Sequence, residues 1–171
     1  MQSLVDLSVR ALVKTTYILD YSEGTTKNNV AHFATMFSSL SGAAFQDMVK
    51  VKANFNVKNI YGQNALHTAI KRNNHQDIGV FLTMGDPVIL DLACNSITSS
   101  RETPLHLAAK MGSVATVWKL LQLGADTGAR DENGNTPYDT ALKKGNNIIA
   151  DIITNYEANA GKSPYHLWTS C

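Results

Sequence analysis

The chain has 171 residues, a hydrophobic share of 44 % and a formal net charge of +1 from 15 basic and 14 acidic side chains. The length suits about one domain with a buried core, and the hydrophobic share excludes a disordered chain. The balance of charge excludes a polybasic nucleic-acid binder, and no apolar run reaches the roughly 18 residues of a membrane span.

The first predicted element is a helix over residues 4–19, with Val5, Val9, Leu12 and Val13 on one side and a weak cap from Ser3 and Asp6. Residues 1–28 read as an N-terminal capping helix or partial unit, closed by a polar loop. The start lacks a basic stretch followed by an apolar one, so no signal peptide is expected. Residues 29–60 form a degenerate unit. It opens on Asn29-Val30-Ala31-His32-Phe33-Ala34, loops near 38–42, continues as a helix over 43–51 and ends in a projecting turn.

Residues 61–100 form the next unit, opening on Asn64-Ala65-Leu66-His67-Thr68-Ala69-Ile70. Leu66, Ala69, Ile78, Phe81 and Leu82 are expected in the core. Asn73 ends the first helix, because Asn tolerates the left-handed conformation. The connection from Asp86 to Glu102 is longer than a simple repeat needs. Its Val88-Ile89-Leu90 and Leu92-Ala93 either pack on the stack or meet a partner.

Residues 101–133 carry the clearest pattern, Thr103-Pro104-Leu105-His106-Leu107-Ala108. Thr103 suits an N-cap and Pro104 the first turn, where no donor is needed. Leu105 and Ala108 share the inner face, and the small Ala108 admits a close neighbour. Gly112 ends this helix, a second follows over 114–123, and Gly124 closes that one. Residues 134–156 repeat the pattern as Thr136-Pro137-Tyr138-Asp139-Thr140-Ala141, with Ile149, Ile152 and Ile153 sealing the second helix. In the tail, 157–171, Ser163-Pro164-Tyr165-His166-Leu167-Trp168 reads as a degenerate half-repeat packed as a cap, or as a free tail.

Thr136 follows Thr103 by 33 residues, and Thr103 follows Asn64 by 39. With the Thr-Pro-Leu-His-x-Ala signature, this spacing resembles the ankyrin repeat family. The resemblance implies an all-α solenoid of about four stacked helix-turn-helix repeats with projecting β-turn fingers. Leu66, His67, Ala69, Thr103, Pro104, Leu105, His106, Ala108, Gly112, Gly124, Thr136, Pro137 and Ala141 then carry the repeat structure. It also implies that His32, His67 and His106 bond within their repeat and to the adjoining turn rather than bind metal or catalyse.

No other motif carries chemistry. Cys94 and Ser100 lack the frame of a nucleophile, Lys143-Lys144-Gly145 is not a phosphate loop, and neither metal nor cofactor is expected. Two cysteines, Cys94 and Cys171, do not make a disulfide framework and suit a cytoplasmic or nuclear protein.

The resemblance implies a non-catalytic, monomeric module that binds a protein partner, with neither nucleic acid nor membrane in the interaction. Its concave surface would place Asn59, Tyr61, Arg101, Arg130, Asp131 and Asn133 on finger tips. Thr68, Lys71, Leu107, Lys110, Met111, Thr140 and Lys143 would be exposed on first helices. Leu107 and Met111 are the expected apolar anchors, and Trp118 either packs on a neighbouring helix or anchors a partner. Few repeats with lengthened loops are similar in layout to inhibitors of the NF-kappa-B class, which implies a Rel-type transcription factor as one partner. Adaptors of ubiquitin ligases, fragments of larger enzymes and pathogen effectors are the alternatives.

Overall fold

A computed structural model describes residues 57–73, 78–79 and 94–159. The expected elements in 1–56, the apolar stretch Val88–Ala93, the half-repeat at Ser163–Trp168, and His32, His75, His166 and Cys171 all lie outside these residues. Five helices are described: α1 (Ala65–Lys71), α2 (Pro104–Met111), α3 (Val114–Gln122), α4 (Pro137–Lys143) and α5 (Asn147–Asn159). No strand occurs among the described residues.

Each first helix starts on a reciprocal cap. The Thr103 hydroxyl accepts from the His106 N–H at 3.4 Å, and His106 Nδ1 accepts from the Thr103 N–H at 3.2 Å. Asn64 and His67 repeat this capping box at α1. In α4, Asp139 takes the histidine's place and accepts from the Thr136 N–H at 2.9 Å. The box satisfies donors that a helix start leaves open. The ends follow the same rule in reverse. Asn73 and Gly112 hold φ of 55° and 77°, so the left-handed stop expected at both places is present.

The helices form two layers. α2 packs between α1 and α4, which makes a row of first helices. α3 lies behind α2, and α5 lies behind α4 and beside α3. Leu66, Leu105, Ala108, Leu120, Leu121, Ala141 and Ile153 are fully buried between the layers. Ala108 and Ala141 admit close approach of the first helices, so the stack is held by neighbour contacts rather than one central core. α5 continues to Asn159, three residues past the boundary expected at 156.

Polar bonds stitch successive repeats. His67 Nε2 reaches the Glu102 carbonyl at 3.3 Å, and His106 Nε2 reaches that of Asn135 at 3.0 Å. The Asn146 amide donates to the Ala109 carbonyl at 2.7 Å, and the Tyr156 hydroxyl donates to that of Leu121 at 2.7 Å. Both acceptors lie in the last turn of a helix of the preceding repeat.

Candidate functional site

Three fingers share one backbone plan. The Asn59 N–H donates to the Gln63 carbonyl, Thr98 to Glu102 and Asp131 to Asn135, at 2.9, 3.0 and 2.9 Å. A second bond returns from Gly62 to Asn59, from Arg101 to Thr98 and from Gly134 to Asp131. The first side chain of each turn braces it. Asn59 Oδ1 accepts from the Tyr61 and Gln63 N–H groups, Thr98 Oγ1 from Glu102, and Asp131 Oδ1 from Asn133 and Asn135. Adjacent fingers are joined through main chain, Ser99 N–H to the Tyr61 carbonyl and Glu132 N–H to that of Ser100, both at 3.0 Å.

The fingers and the ends of the first helices enclose a groove of about 280 Å³. Glu102, Asp131 and Glu132 line its finger side, and Lys110, Lys143 and Lys144 its helix side. Ser100, Asn133, Asn135 and Thr140 complete a lining drawn from polar and charged residues. Much of the charge is spent internally. Lys110 Nζ lies 3.0 Å from Glu102 Oε1, Ser100 donates to the other Glu102 oxygen at 3.2 Å, and Lys143 donates to Asn135 Oδ1. Burial pushes the Asp131 carboxyl up, but donors from the Asn135 side chain and from the Asn135 and Asn133 backbone together hold it below its ordinary value.

The expected contact residues divide. Tyr61, Lys71, Arg101, Lys110, Met111, Arg130, Asn133 and Lys143 are exposed along the fingers and helix ends. Asp131 is half-buried and committed to its own turn. Exposure is corrected for Asn59, Thr68, Leu107 and Thr140, which are buried at 8, 4, 5 and 9 %. Asn59 braces the first finger. Thr68, Leu107 and Thr140 lie on helices covered by their neighbours in the row, so the free surface is confined to the helix ends. Trp118 is 43 % exposed on α3 and so is not fully packed on a neighbouring helix.

Glu102, Glu132 and Lys144 were not among the expected contacts, although each is adjacent to one that was. Arg101 has a property the sequence reading did not give it. It stands 39 residues after Gly62 and 33 before Gly134, both glycines with positive φ, and its own φ is 59°. Comparing the three turns column by column gives that signal.

Among the described residues no group of three or more His, Cys, Asp or Glu side chains is placed to hold a metal ion, and no helix is long and apolar enough to cross a membrane. Cys94 is buried.

Paired helices, capped first turns and main-chain-linked fingers define a repeat solenoid of the ankyrin type. The family profile described as ankyrin repeats (3 copies) matches residues 31–131 and again 85–164, and the chain belongs to that family. It is 34 % identical to mouse (Mus musculus) palmitoyltransferase ZDHHC13 over 68 residues, 40 % of this chain and 11 % of that protein. It is 36 % identical to the Drosophila melanogaster ARF GTPase-activating protein Git over 89 residues, 52 % of this chain and 11 % of that protein. Against human (Homo sapiens) Rabankyrin-5 it is 31 % identical over 100 residues, 55 % and 9 %. The chain thus spans about a tenth of the length of these curated relatives. Family membership makes the stack a protein–protein interaction module, in a class of domain that is generally non-catalytic.

Proposed function

We propose that the chain is a non-catalytic module that holds a segment of a partner protein against the fingers and the ends of the first helices. The observation carrying this reading is the polar groove between Glu102, Asp131 and Glu132 on one side and Lys110, Lys143 and Lys144 on the other. Its walls are preset by hydrogen bonds, so little ordering is needed on association. A photo-crosslinking residue at Asn133 should capture the partner in cells, and one at Ile148, exposed elsewhere on α5, should not. Capture from Ile148 alone overturns the reading.

The inhibitor form of this proposal has the groove masking a transcription factor of the Rel type. It rests on layout, the few repeats and the lengthened connection. Adding purified chain to a Rel protein bound to its DNA site tests it, and an undiminished gel shift rejects it.

A second reading is favoured by the length comparison. A stack resembling a tenth of a palmitoyltransferase or of an ARF GTPase-activating protein suits a targeting part that delivers partners to another activity. Co-purification of the groove's partner with a transferase or GTPase-regulating activity supports this reading, and capture of the partner without any such activity opposes it.

A further inference from the structure

The middle finger carries a cation with no ion pair among the described residues, on a backbone that favours glycine. Gly62, Arg101 and Gly134 occupy one position in three equivalent turns, with φ of 68°, 59° and 77°. Glycine enters this conformation freely, whereas a side chain with a Cβ is strained in it. The flanking fingers show that the turn closes with glycine, so the arginine is not there for the turn. Arg101 is exposed, and its guanidinium makes no hydrogen bond or ion pair with any described residue.

Its surroundings leave it free to meet an anion. Glu102, next in sequence, is matched by Lys110 at 3.0 Å and by the Ser100 hydroxyl. Asp131 on the adjacent finger is wrapped by the Asn133 and Asn135 N–H groups and the Asn135 amide. On the other side Lys58 donates to the Ile97 carbonyl at 2.9 Å, setting an ammonium beside the base of the same finger. Glu132 is the one acid of the groove with no side-chain bond to a described residue. Strain kept at an exposed side chain that no described residue pairs marks a contact rather than a scaffold element.

We propose that Arg101 is the anchor of the interaction surface and that it takes a carboxylate or phosphate group from an acidic segment of the partner, at the expense of fold stability. This rests on the reading of the fingers and groove as the binding face and names the partner's chemistry there. The planar fork of arginine pairs with both oxygens of such a group, which a lysine does not reproduce.

The test joins stability to binding in the full chain. Arg101→Gly should raise the thermal midpoint and weaken binding of hexaglutamate, followed by amide NMR shifts at the middle finger, by roughly tenfold, the loss of one charge-assisted contact. Arg101→Ala should weaken binding equally without raising the midpoint. Arg101→Lys should recover part of the binding, Glu132→Gln should strengthen it, and Lys119→Ala, on α3, should leave it unchanged. A phosphoserine peptide that outbinds hexaglutamate charge for charge identifies phosphate as the anion, and the reverse identifies carboxylate.

A lower midpoint in Arg101→Gly, or unchanged hexaglutamate affinity, overturns the proposal. Hexalysine or an amphipathic apolar peptide moving the finger and groove amides where hexaglutamate does not defeats the acidic partner and leaves the binding face standing. Absence of any shift at the fingers and groove with every probe at millimolar concentration removes both.

Discussion

His106 Nε2 donates to the carbonyl of Asn135 at 3.0 Å, which ties the first helix of one repeat to the finger of the next. The direction of that bond follows from the other ring nitrogen. Nδ1 faces the Thr103 N–H, which can only donate, so Nδ1 accepts and the ring proton sits on Nε2. One side chain thereby completes a helix cap and joins two repeats. His106→Leu, of similar size, should cost about 2–4 kcal/mol in urea unfolding, because it strands a donor and an acceptor. A loss below ~1 kcal/mol would mean that water replaces both bonds.

The finger glycines differ in what they require. A Cβ on Gly62 would stand 2.6 Å from the Ser99 nitrogen, whereas one on Gly134 would meet nothing within 4 Å. Gly134→Ala should therefore cost only the left-handed strain, about 1 kcal/mol. Gly62→Ala should cost at least ~1 kcal/mol more, because the next finger must also move. Equal denaturation midpoints would contradict the close approach.

Leu107 and Met111 should separate under the same substitution. Leu107 is 5 % exposed and Met111 44 %. Leu107→Glu should destabilise by ~3 kcal/mol or more by burying a charge. Met111→Glu should stay within about 0.5 kcal/mol of the parent. Circular-dichroism melts of the two single variants distinguish them.

Acid should weaken the last finger and its helix. The Thr136 N–H and hydroxyl hold the Asp139 carboxyl below its ordinary value against the opposing effect of burial, with help from Arg130 and Lys143. Asp131 is lowered as well, its hydrogen bonds outweighing burial. A folded value below the unfolded one stabilises above the unfolded carboxylate pKa, about 4, and that gain is lost as pH falls through the folded value. The Asp131→Asn and Asp139→Asn variants should each be less stable than the parent at pH 7 and should converge on it as pH falls through the lowered folded values of these carboxyls. A constant difference in urea midpoint across that range would exclude the linkage.

The caps were legible in the sequence because they are local. Thr103, Pro104, Gly112 and Asn73 act within a few residues of themselves, so residue type and spacing predict them. The buried faces of Thr68, Leu107 and Thr140 were not legible. Helical period separates Leu105 and Ala108 from the opposite side, but α2 is flanked by α1 and α4 as well as backed by α3. A period found in one helix does not count its neighbours. Arg101 was placed on a fingertip, yet its left-handed backbone is imposed by the shared turn and not by any preference of arginine. The groove's polarity has the same physical origin, because Leu107 is buried in the row and lysines and carboxylates line the groove instead.

The main-chain bonds from Ser99 to Tyr61 and from Glu132 to Ser100 form a rail made of backbone atoms alone, which requires glycine at 62, where a Cβ would meet the Ser99 nitrogen. Ile60, Tyr61, Ser99, Glu132 and Asn133 ride on it exposed. The exposed tips can therefore be exchanged one at a time while the rail is kept, and on the proposed reading of the fingers as the binding face each exchange would alter what is bound. On that reading the architecture and the specificity of this chain are set by different atoms, and a new specificity would not require a new fold.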